Sequence, residues 1–229
     1  MSLDEYVKSL KNKRVTVVGA GISNRPLIKL LCANGVEVTV CDRSETLHEE
    51  LQGLPIHTKL GKHYLDTLDA DIIFRTPGVH PDVPALREAR EKGCELTSEM
   101  ELFLRLCPCR VFDVTGSGGK TTTTSLIAAL LKKAGYRVHL GGNIGHPLLC
   151  ETPAIRPDDI AVLELSSFQF HSIESADRQQ FYVDDTGAEV KIYRPFGRVD
   201  TMDRGYGNAD TDVSQIITNY IFTTAGMSW

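Results

Sequence analysis

Residues 111–149, VFDVTGSGGKTTTTSLIAALLKKAGYRVHLGGNIGHPLL, contain the pattern that decides the fold of this chain. An apolar strand over 110–114 leads into a glycine-rich turn that carries Lys120, and a helix over 122–133 follows and ends at Gly135. Backbone N–H groups that glycines leave accessible, the positive end of the helix dipole and one ammonium group all point at the same place. The segment therefore predicts a binding site for a polyphosphate.

The glycine turn, TGSGGKT over 115–121, is a variant of the P-loop G-x-x-x-x-G-K-[ST], with Val114 where the first glycine would stand. Lys120 can reach the β- and γ-phosphates of a nucleotide, and the hydroxyl of Thr121 can bind Mg²⁺. A later apolar strand, IAVLEL, carries Glu164 near its end, where a carboxylate is costly unless it is paired or binds a cation. A Mg²⁺ held by Thr121 and Glu164 would remove that cost, and a salt bridge or an exposed strand end is the alternative.

The first part of the chain follows the order of a Rossmann unit. The β-branched run RVTVV precedes the glycines of 19–21, a helix over 25–34 and a strand over 37–41 follow, and Asp42 ends that strand. The third glycine of the G-x-G-x-x-G fingerprint is replaced by Asn24. The fingerprint is therefore weak for NAD, whereas a site for another nucleotide or its diphosphate remains a good prediction.

The alternation continues with strands predicted over 56–60, 70–74 and 95–97 and a helix over 84–92. Open α/β sheets bind ligands beyond the carboxyl ends of their strands. Three turns fall at such ends, namely 19–23, 42–43 and 76–78. Each of them could be a turn and nothing more, but together they predict one ligand-binding crevice.

We therefore predict an α/β protein whose N-terminal, Rossmann-like domain with a parallel sheet covers 1–97. A partial P-loop α/β domain follows over 98–175, and the atypical tail over 176–229 has the pattern of a β-hairpin, with strands over 180–184 and 189–193.

A connecting helix is predicted over 98–106, at the boundary between the two domains. Ser98 is suited to the N-cap, and Glu101 stands at the N3 position of a capping box.

Composition limits the classes of function. Hydrophobic residues make up 41% and charged residues 24% of the 229 residues, which is typical of a globular protein. The net charge of −5 argues against a general nucleic-acid binder. No apolar run reaches the roughly 20 residues of a membrane span, the N-terminus has no apolar signal segment, and the six cysteines lack the spacing of a disulfide scaffold. These features predict a cytoplasmic location without membrane insertion.

Three motifs in order, TGSGGKTTTT, GGNIG and LELSSFQ, stand behind the Rossmann-like domain. Over about residues 10–173 the chain resembles the Mur ligases of peptidoglycan synthesis, and most of all those that join D-glutamate to UDP-N-acetylmuramoyl-L-alanine. This resemblance implies an enzyme that uses ATP and Mg²⁺ to phosphorylate the substrate carboxylate. The amine of D-glutamate then attacks the acyl phosphate, and no protein partner is implied.

The resemblance also implies roles for individual residues. ATP would be bound by Gly116, Ser117, Gly118, Gly119, Lys120, Thr121 and Thr122, although the family usually carries Asn or Asp at position 118. Lys120 and Glu164 would be catalytic, with Thr121 and Glu164 as Mg²⁺ ligands. The UDP part of the substrate would contact Ile22, Ser23, Asp42, Arg43, Thr76, Pro77 and Gly78. Asn143 and Gln169 would hold its muramoyl-alanine part.

The sequence after about residue 173 departs from the family pattern. The family has a D-H-[LM]-D motif followed by a lysine, whereas the nearest string here has Thr201 at the histidine position and the last lysine is Lys191. The chain thus looks shortened, and we expect little or no turnover from it alone. The alternative is a non-catalytic module that binds a nucleotide or a UDP-sugar. An NAD-dependent oxidoreductase is disfavoured by Asn24 and by the P-loop.

Overall fold

The computed structural model describes residues 1–115, 119–166, 169, 180–183 and 190–193. These residues form parallel sheets with helices in an alternating order, which confirms the predicted α/β class.

The chain forms two compact units, and the first of them is discontinuous in sequence. The first unit combines Met1–Pro108 with His146–Ile155. The second contains Cys109–Gly145 and the described residues from Arg156 onward. This division differs from a boundary after Thr97, because the helix that follows Thr97 packs within the first unit.

The first unit is built on a five-stranded parallel sheet with the strand order β3-β2-β1-β4-β5, which is the order of a Rossmann unit. Its strands are β1 (Val15–Val18), β2 (Val38–Asp42), β3 (Ile56–Leu60), β4 (Ile72–Arg75) and β5 (Glu95–Thr97). Its α-helices are α1 (Leu3–Ser9), α2 (Arg25–Ala33), α3 (Pro84–Glu91) and α4 (Glu99–Leu106). Two short 3₁₀-helices, Glu49–Leu51 and Leu149–Ala154, complete the unit.

The core of this unit forms where apolar faces of helices meet buried strands. β1 and β4 are buried along their whole length, as expected for central strands of a parallel sheet covered on both faces. Leu86 and Ala89 of α3 pack in one cluster with Val18 and Ile73.

Helix α4 begins with a carboxylate that the first unit buries. The side chain of Glu99 is 5% exposed, and its Oε1 accepts a hydrogen bond of 2.8 Å from the N–H of Leu149. Desolvation by burial raises the pKa of Glu99 to about 7, although the N–H groups of Leu149 and Leu148 act in the opposite direction. This contact joins the segment His146–Ile155 to the rest of the first unit.

The raised pKa of Glu99 predicts how stability depends on pH. The unfolded chain releases this proton near pH 4.5 and the folded chain near pH 7, so the free energy of unfolding falls as pH rises through that window. The loss amounts to about 3 kcal/mol. Glu99→Gln keeps an oxygen acceptor for Leu149 but does not titrate, and urea unfolding followed by circular dichroism should therefore show a weaker pH dependence in this variant.

Glu88→Gln is the matched control, because Glu88 is an exposed carboxylate on α3 that pairs with Lys92. This control should keep the pH dependence of the parent chain between pH 4.5 and about pH 7, because pairing with Lys92 holds the pKa of Glu88 below its ordinary value. An unchanged pH dependence in Glu99→Gln would contradict the assignment.

The second unit has a three-stranded parallel sheet with the order β6-β8-β7. The strands are β6 (Arg110–Val114), β7 (Val138–Gly142) and β8 (Ile160–Glu164), and helix α5 (Lys120–Lys133) connects β6 to β7. α5 lays Ile127, Ala128 and Leu131 against Val114 and Val162 of the sheet. Every residue of β8 is buried, in agreement with its position in the middle of the sheet.

The start of α5 differs from the predicted start, and its end agrees with the prediction, both for local reasons. The helix begins at Lys120, two residues earlier than predicted, because Gly119 adopts a φ of 71° at the N-cap. At the other end, the N–H of Gly135 bonds to the carbonyl of Lys132, and the N–H of Tyr136 bonds to that of Leu131. This is a Schellman cap. Tyr136 therefore belongs to the helix end, and β7 starts at Val138.

In the tail, β9 (Gln180–Val183) and β10 (Val190–Tyr193) pair antiparallel, with Val183 opposite Val190. This pairing confirms the two strands of the predicted hairpin. The residues between them, and residues 194–229, lie outside the described part.

No helix among the described residues is long and apolar enough to cross a bilayer. All six cysteines are free thiols.

Candidate functional sites

In the first unit, the structure brings the three predicted strand-end turns together. The N–H of Gly19 bonds to the carbonyl of Cys41 at 2.8 Å, which joins the end of β1 to the end of β2. The N–H of Thr76 bonds to the carbonyl of Val18 at 2.8 Å, which joins β4 to β1. Gly19 has a φ of 88°, and a Cβ atom there would lie 2.5 Å from Cγ2 of Thr76. The glycine at position 19 thus allows the turn 76–78 to pack directly against the turn 19–23.

Asp42 holds the glycine turn in place. Its Oδ2 accepts a hydrogen bond of 2.6 Å from the N–H of Ala20, and its Oδ1 accepts one of 2.8 Å from the N–H of Ser44. In a dinucleotide site the corresponding acidic residue binds a ribose hydroxyl. Here both carboxylate oxygens already have backbone donors, so the structural contribution of Asp42 is to fix the turns at the ends of β1 and β2.

The side chains that remain accessible around these three turns are of mixed character. Ile22 is 68% exposed at the tip of the glycine turn, and Ser23 is half-buried beside it. Arg43 is exposed and has no ion pair with any residue that the structure describes. Pro77 is half-buried and Gly78 exposed. These groups suit a ligand with a planar base and a negative charge. The apolar side chain can contact the base, and the hydroxyl and the exposed guanidinium can bind the charged part.

Asn24 explains why a third glycine is not needed. Its side chain is 1% exposed, and its Nδ2 donates hydrogen bonds of 2.8 Å to the carbonyl of Gly19 and 3.4 Å to that of Val18. Its Oδ1 has no hydrogen-bond partner among the described residues. The buried side chain of Asn24 therefore stands where the fingerprint has a glycine, and it provides hydrogen bonds to the backbone carbonyls at the end of β1.

In the second unit, the structure brings together the two predicted Mg²⁺ ligands. The hydroxyl of Thr121, in the first turn of α5, donates a hydrogen bond of 2.8 Å to Oε2 of Glu164, at the end of β8. Glu164 is 5% exposed, so its carboxylate is a buried charge that needs a polar partner.

The two oxygens fit Mg²⁺, which prefers hard oxygen ligands and in nucleotide sites is held by one or two protein groups together with phosphate oxygens. Among the described residues, no group of three or more His, Cys, Asp or Glu could hold a metal ion by itself. A cation here would thus depend on oxygens of a bound nucleotide.

The GGNIG segment packs tightly on the same strand end. The N–H of Asn143 bonds to the carbonyl of Glu164 at 2.8 Å, which leaves the Asn143 side chain exposed at the sheet edge. Gly142 has a φ of 93°, and a Cβ atom there would lie 2.1 Å from the carbonyl oxygen of Glu164. No side chain at position 142 can be accommodated without moving the backbone of β7 or β8.

This close approach predicts that Gly142→Ala costs about 3 kcal/mol or more of unfolding free energy, because backbone atoms must shift to admit the methyl group. Gly53→Ala is a matched control, since Gly53 has a φ of 76° but no atom within 4 Å of the position that a Cβ atom would take. The control should lose only about 1 kcal/mol, the cost of a left-handed backbone. Thermal unfolding of both variants measures the difference, and equal losses would contradict the steric argument.

Gln169 lies next to the same edge and is 6% exposed. Its Oε1 accepts hydrogen bonds of 3.0 Å from the N–H and from the hydroxyl of Ser166. The N–H of Gln169 in turn donates to the Ser166 hydroxyl at 3.2 Å. Gln169 is therefore held by the chain that follows β8, close in sequence to Glu164.

The glycine turn itself is described only in part. Gly116, Ser117 and Gly118 lie outside the described residues. Gly119 forms the N-cap of α5, and Lys120 and Thr122 stand in the first turn of that helix, half-buried and exposed respectively. Lys120 thus occupies the helix N-terminus, where the helix dipole attracts anions.

Two buried charged residues in the first unit were not singled out from the sequence. Arg75 ends the otherwise apolar strand β4 and is 2% exposed, and Glu99 opens α4. A charged residue at the end of a buried apolar strand could have indicated Arg75 from the sequence, because a buried charge needs polar or charged partners. Glu101, predicted to complete a capping box, faces Arg75 instead, so only the Ser98 half of that box is formed.

Comparison with known families matches two stretches of the chain. Residues 13–98 match the N-terminal domain of MurD-like Mur ligases, and residues 114–183 match the Mur ligase middle domain. The chain belongs to the Mur ligase family.

Two curated relatives of this Mur ligase chain carry the same name. The chain is 53% identical over 178 residues to the UDP-N-acetylmuramoylalanine–D-glutamate ligase of Ruminiclostridium cellulolyticum, which corresponds to 75% of this chain and 38% of that protein. It is 49% identical over 177 residues to the ligase of the same name from Acetivibrio thermocellus, again 75% of this chain and 38% of the relative. The chain thus spans less than two fifths of the length of these relatives.

Solved structures of Mur ligases are more distant. The UDP-N-acetylmuramate–alanine ligase MurC of Thermotoga maritima is 23% identical, with a TM-score of 0.40 over 68% of this chain and 37% of that one. A UDP-N-acetylmuramate:L-alanyl-γ-D-glutamyl-meso-diaminopimelate ligase from Neisseria meningitides is 18% identical, with a TM-score of 0.42 over 94% of this chain and 68% of that one.

Proposed function

We propose that this chain carries the parts of a D-glutamate-adding Mur ligase that bind UDP-N-acetylmuramoyl-L-alanine and the phosphates of ATP. The single observation that supports this proposal most is the hydrogen bond of 2.8 Å from the hydroxyl of Thr121 to Oε2 of Glu164. It lies at the N-terminus of α5, the helix that begins with Lys120. Relatives named for this reaction are 49–53% identical over three quarters of the chain.

On the ATP side, we propose that Gly116, Ser117, Gly118, Gly119, Lys120, Thr121 and Thr122 bind the phosphates. Lys120 would stabilise the charge that develops on the transferring phosphoryl group, which is the main work of a protein in such reactions. Thr121 and Glu164 would hold Mg²⁺, which when bound neutralises charge on the phosphate oxygens. Glu164 would be catalytic through that contact.

On the substrate side, we propose that Ile22, Ser23, Asp42, Arg43, Thr76, Pro77 and Gly78 bind the UDP part. The mixed character of this crevice supports the proposal, since Ile22 offers an apolar surface for a base and Arg43 an exposed charge for phosphate. Asn143 and Gln169 would hold the muramoyl-alanine part through their amide groups.

In the proposed reaction, the carboxylate of UDP-N-acetylmuramoyl-L-alanine attacks the γ-phosphorus of ATP, and ADP leaves. The amine of D-glutamate then attacks the acyl phosphate, the amide forms, and inorganic phosphate leaves with the bond electrons. The six free thiols suit a reducing compartment, and we propose the cytoplasm as the place of the reaction.

A direct test measures phosphate release by the 229-residue chain with UDP-N-acetylmuramoyl-L-alanine, ATP and D-glutamate, each also omitted in turn. We expect both nucleotides to bind in calorimetry and phosphate release to be very slow, because these 229 residues lack the histidine motif and the later lysine of the family pattern. Rapid release that needs all three substrates would contradict the expected low turnover but support the ligase. Binding without any release would favour the alternative, a non-catalytic UDP-sugar-binding module.

The P-loop assignment predicts that Lys120→Ala abolishes measurable ATP binding, because the ammonium group at the N-terminus of α5 is the cation proposed to contact the β- and γ-phosphates. Lys133→Ala serves as control, since Lys133 is an exposed lysine at the other end of the same helix. Calorimetry with ATP should show loss of binding only for the first variant. Equal ATP affinity in the two variants would refute the P-loop role of Lys120.

A further inference from the structure

Arg75 is the largest fully buried side chain of the described residues, and it lies at the end of β4, immediately before the turn 76–78. Its Nη1 donates a hydrogen bond of 3.2 Å to the carbonyl of Val79. Its Nη2 lies 3.8 Å from Oε1 of Glu101 on α4. The guanidinium thus contacts the residue that follows the turn and, at the same time, pairs with a carboxylate of α4.

Stability alone does not account for an arginine at this position. Burial lowers the pKa of Arg75, and the negative charge of Glu101 only opposes that shift. Arg90 and Asp82 also act on Arg75, but they form their own ion pair of 2.7 Å and their charges have opposite effects. A buried ion pair of this kind is often no more stable than apolar side chains of similar volume.

The turn that Arg75 contacts is one of the three strand-end turns that meet in the first unit, and these turns are proposed above to form the crevice for the UDP part. Val79 donates its N–H to the carbonyl of Thr76 at 3.1 Å and offers its own carbonyl to Arg75. Thr76 in turn donates its N–H to Val18 and packs over Gly19. A chain of contacts therefore leads from α4 through Arg75 to the glycine turn.

We propose that Arg75 is a positioning residue for this crevice: it fixes the turn 76–78 against the glycine turn, so that the site for a nucleoside diphosphate has its shape before the ligand binds. The inference rests on the proposed function, in which this crevice takes the UDP part of the substrate. Arg75 itself need not contact the ligand. Its effect would be on the ligand's affinity, through the cost of ordering the turn.

The test compares Arg75→Met, Arg75→Lys and the double variant Arg75→Met/Glu101→Leu in the full 229-residue chain. Arg75→Met removes the contacts with Val79 and Glu101, and Arg75→Lys keeps the charge but not the planar fork that can contact two partners. The double variant also removes the carboxylate that Arg75→Met would leave without its guanidinium. Arg14→Met is the control, because Arg14 is an exposed arginine of the same unit that pairs with Asp69 and Asp71.

Calorimetry with UDP-N-acetylmuramoyl-L-alanine gives the affinity of the crevice, calorimetry with ATP gives an internal reference, and thermal unfolding gives stability. We expect Arg75→Met to raise the Kd of the UDP substrate about tenfold, with a smaller rise for Arg75→Lys. The Kd of ATP should not change in either variant. The double variant should recover the melting temperature of the parent chain but not its affinity for the UDP substrate.

Two results would overturn the inference. One is a UDP-substrate Kd within twofold of the parent in Arg75→Met. The other is a double variant in which affinity returns together with stability, because Arg75 would then act only on folding. Failure of the proposed function would look different, since the parent chain and Arg14→Met would then not bind the UDP substrate.

Discussion

The second unit depends on the end of strand β8, where Glu164 is bound through both its main chain and its side chain. Its carbonyl accepts from the N–H of Asn143, and its carboxylate accepts from the hydroxyl of Thr121. The next residue, Leu165, donates its N–H to the carbonyl of Val114, the last residue of β6. One strand end therefore holds the P-loop helix, the GGNIG segment and the start of LELSSFQ in fixed relation. The order β6-β8-β7 makes this possible, because it puts β8 between the other two strands.

The first unit keeps the strand order of a Rossmann unit while two side chains replace features of the dinucleotide fingerprint. Asn24 replaces the glycine that closes the dinucleotide fingerprint, and its amide satisfies two strand-end carbonyls. Asp42 uses its carboxylate oxygens to bind the backbone N–H groups of Ala20 and Ser44. The groups that remain accessible lie at the rim of the turns, and Ile22, Ser23 and Arg43 among them belong to the set proposed to bind the UDP part of the substrate.

Much of this architecture could be predicted from the sequence, because the determining signals are local. Apolar β-branched runs such as RVTVV indicated the strands, and glycines after helices, as at Gly135, indicated the helix ends. The proximity of Thr121 and Glu164 could be predicted from the sequence, since parallel strands bring their carboxyl ends to one edge of the sheet. The contacts that were missed are long-range ones between polar groups, such as Glu99 with Leu149, which are 50 residues apart. No periodicity indicates which backbone N–H a buried carboxylate will meet.

The discontinuity of the first unit has a consequence for the order in which the chain folds during synthesis. His146–Ile155 is made only after the first three elements of the second unit, yet it supplies Leu148 and Leu149 to the interior of the first unit. Until these residues leave the ribosome, the carboxylate of Glu99 has no N–H of Leu149 to meet, and the apolar surface that receives the two leucines stays open. The Rossmann-like sheet can thus form early during synthesis. The first unit is complete only when translation has passed Ile155, so its folding overlaps with that of the second unit and does not precede it.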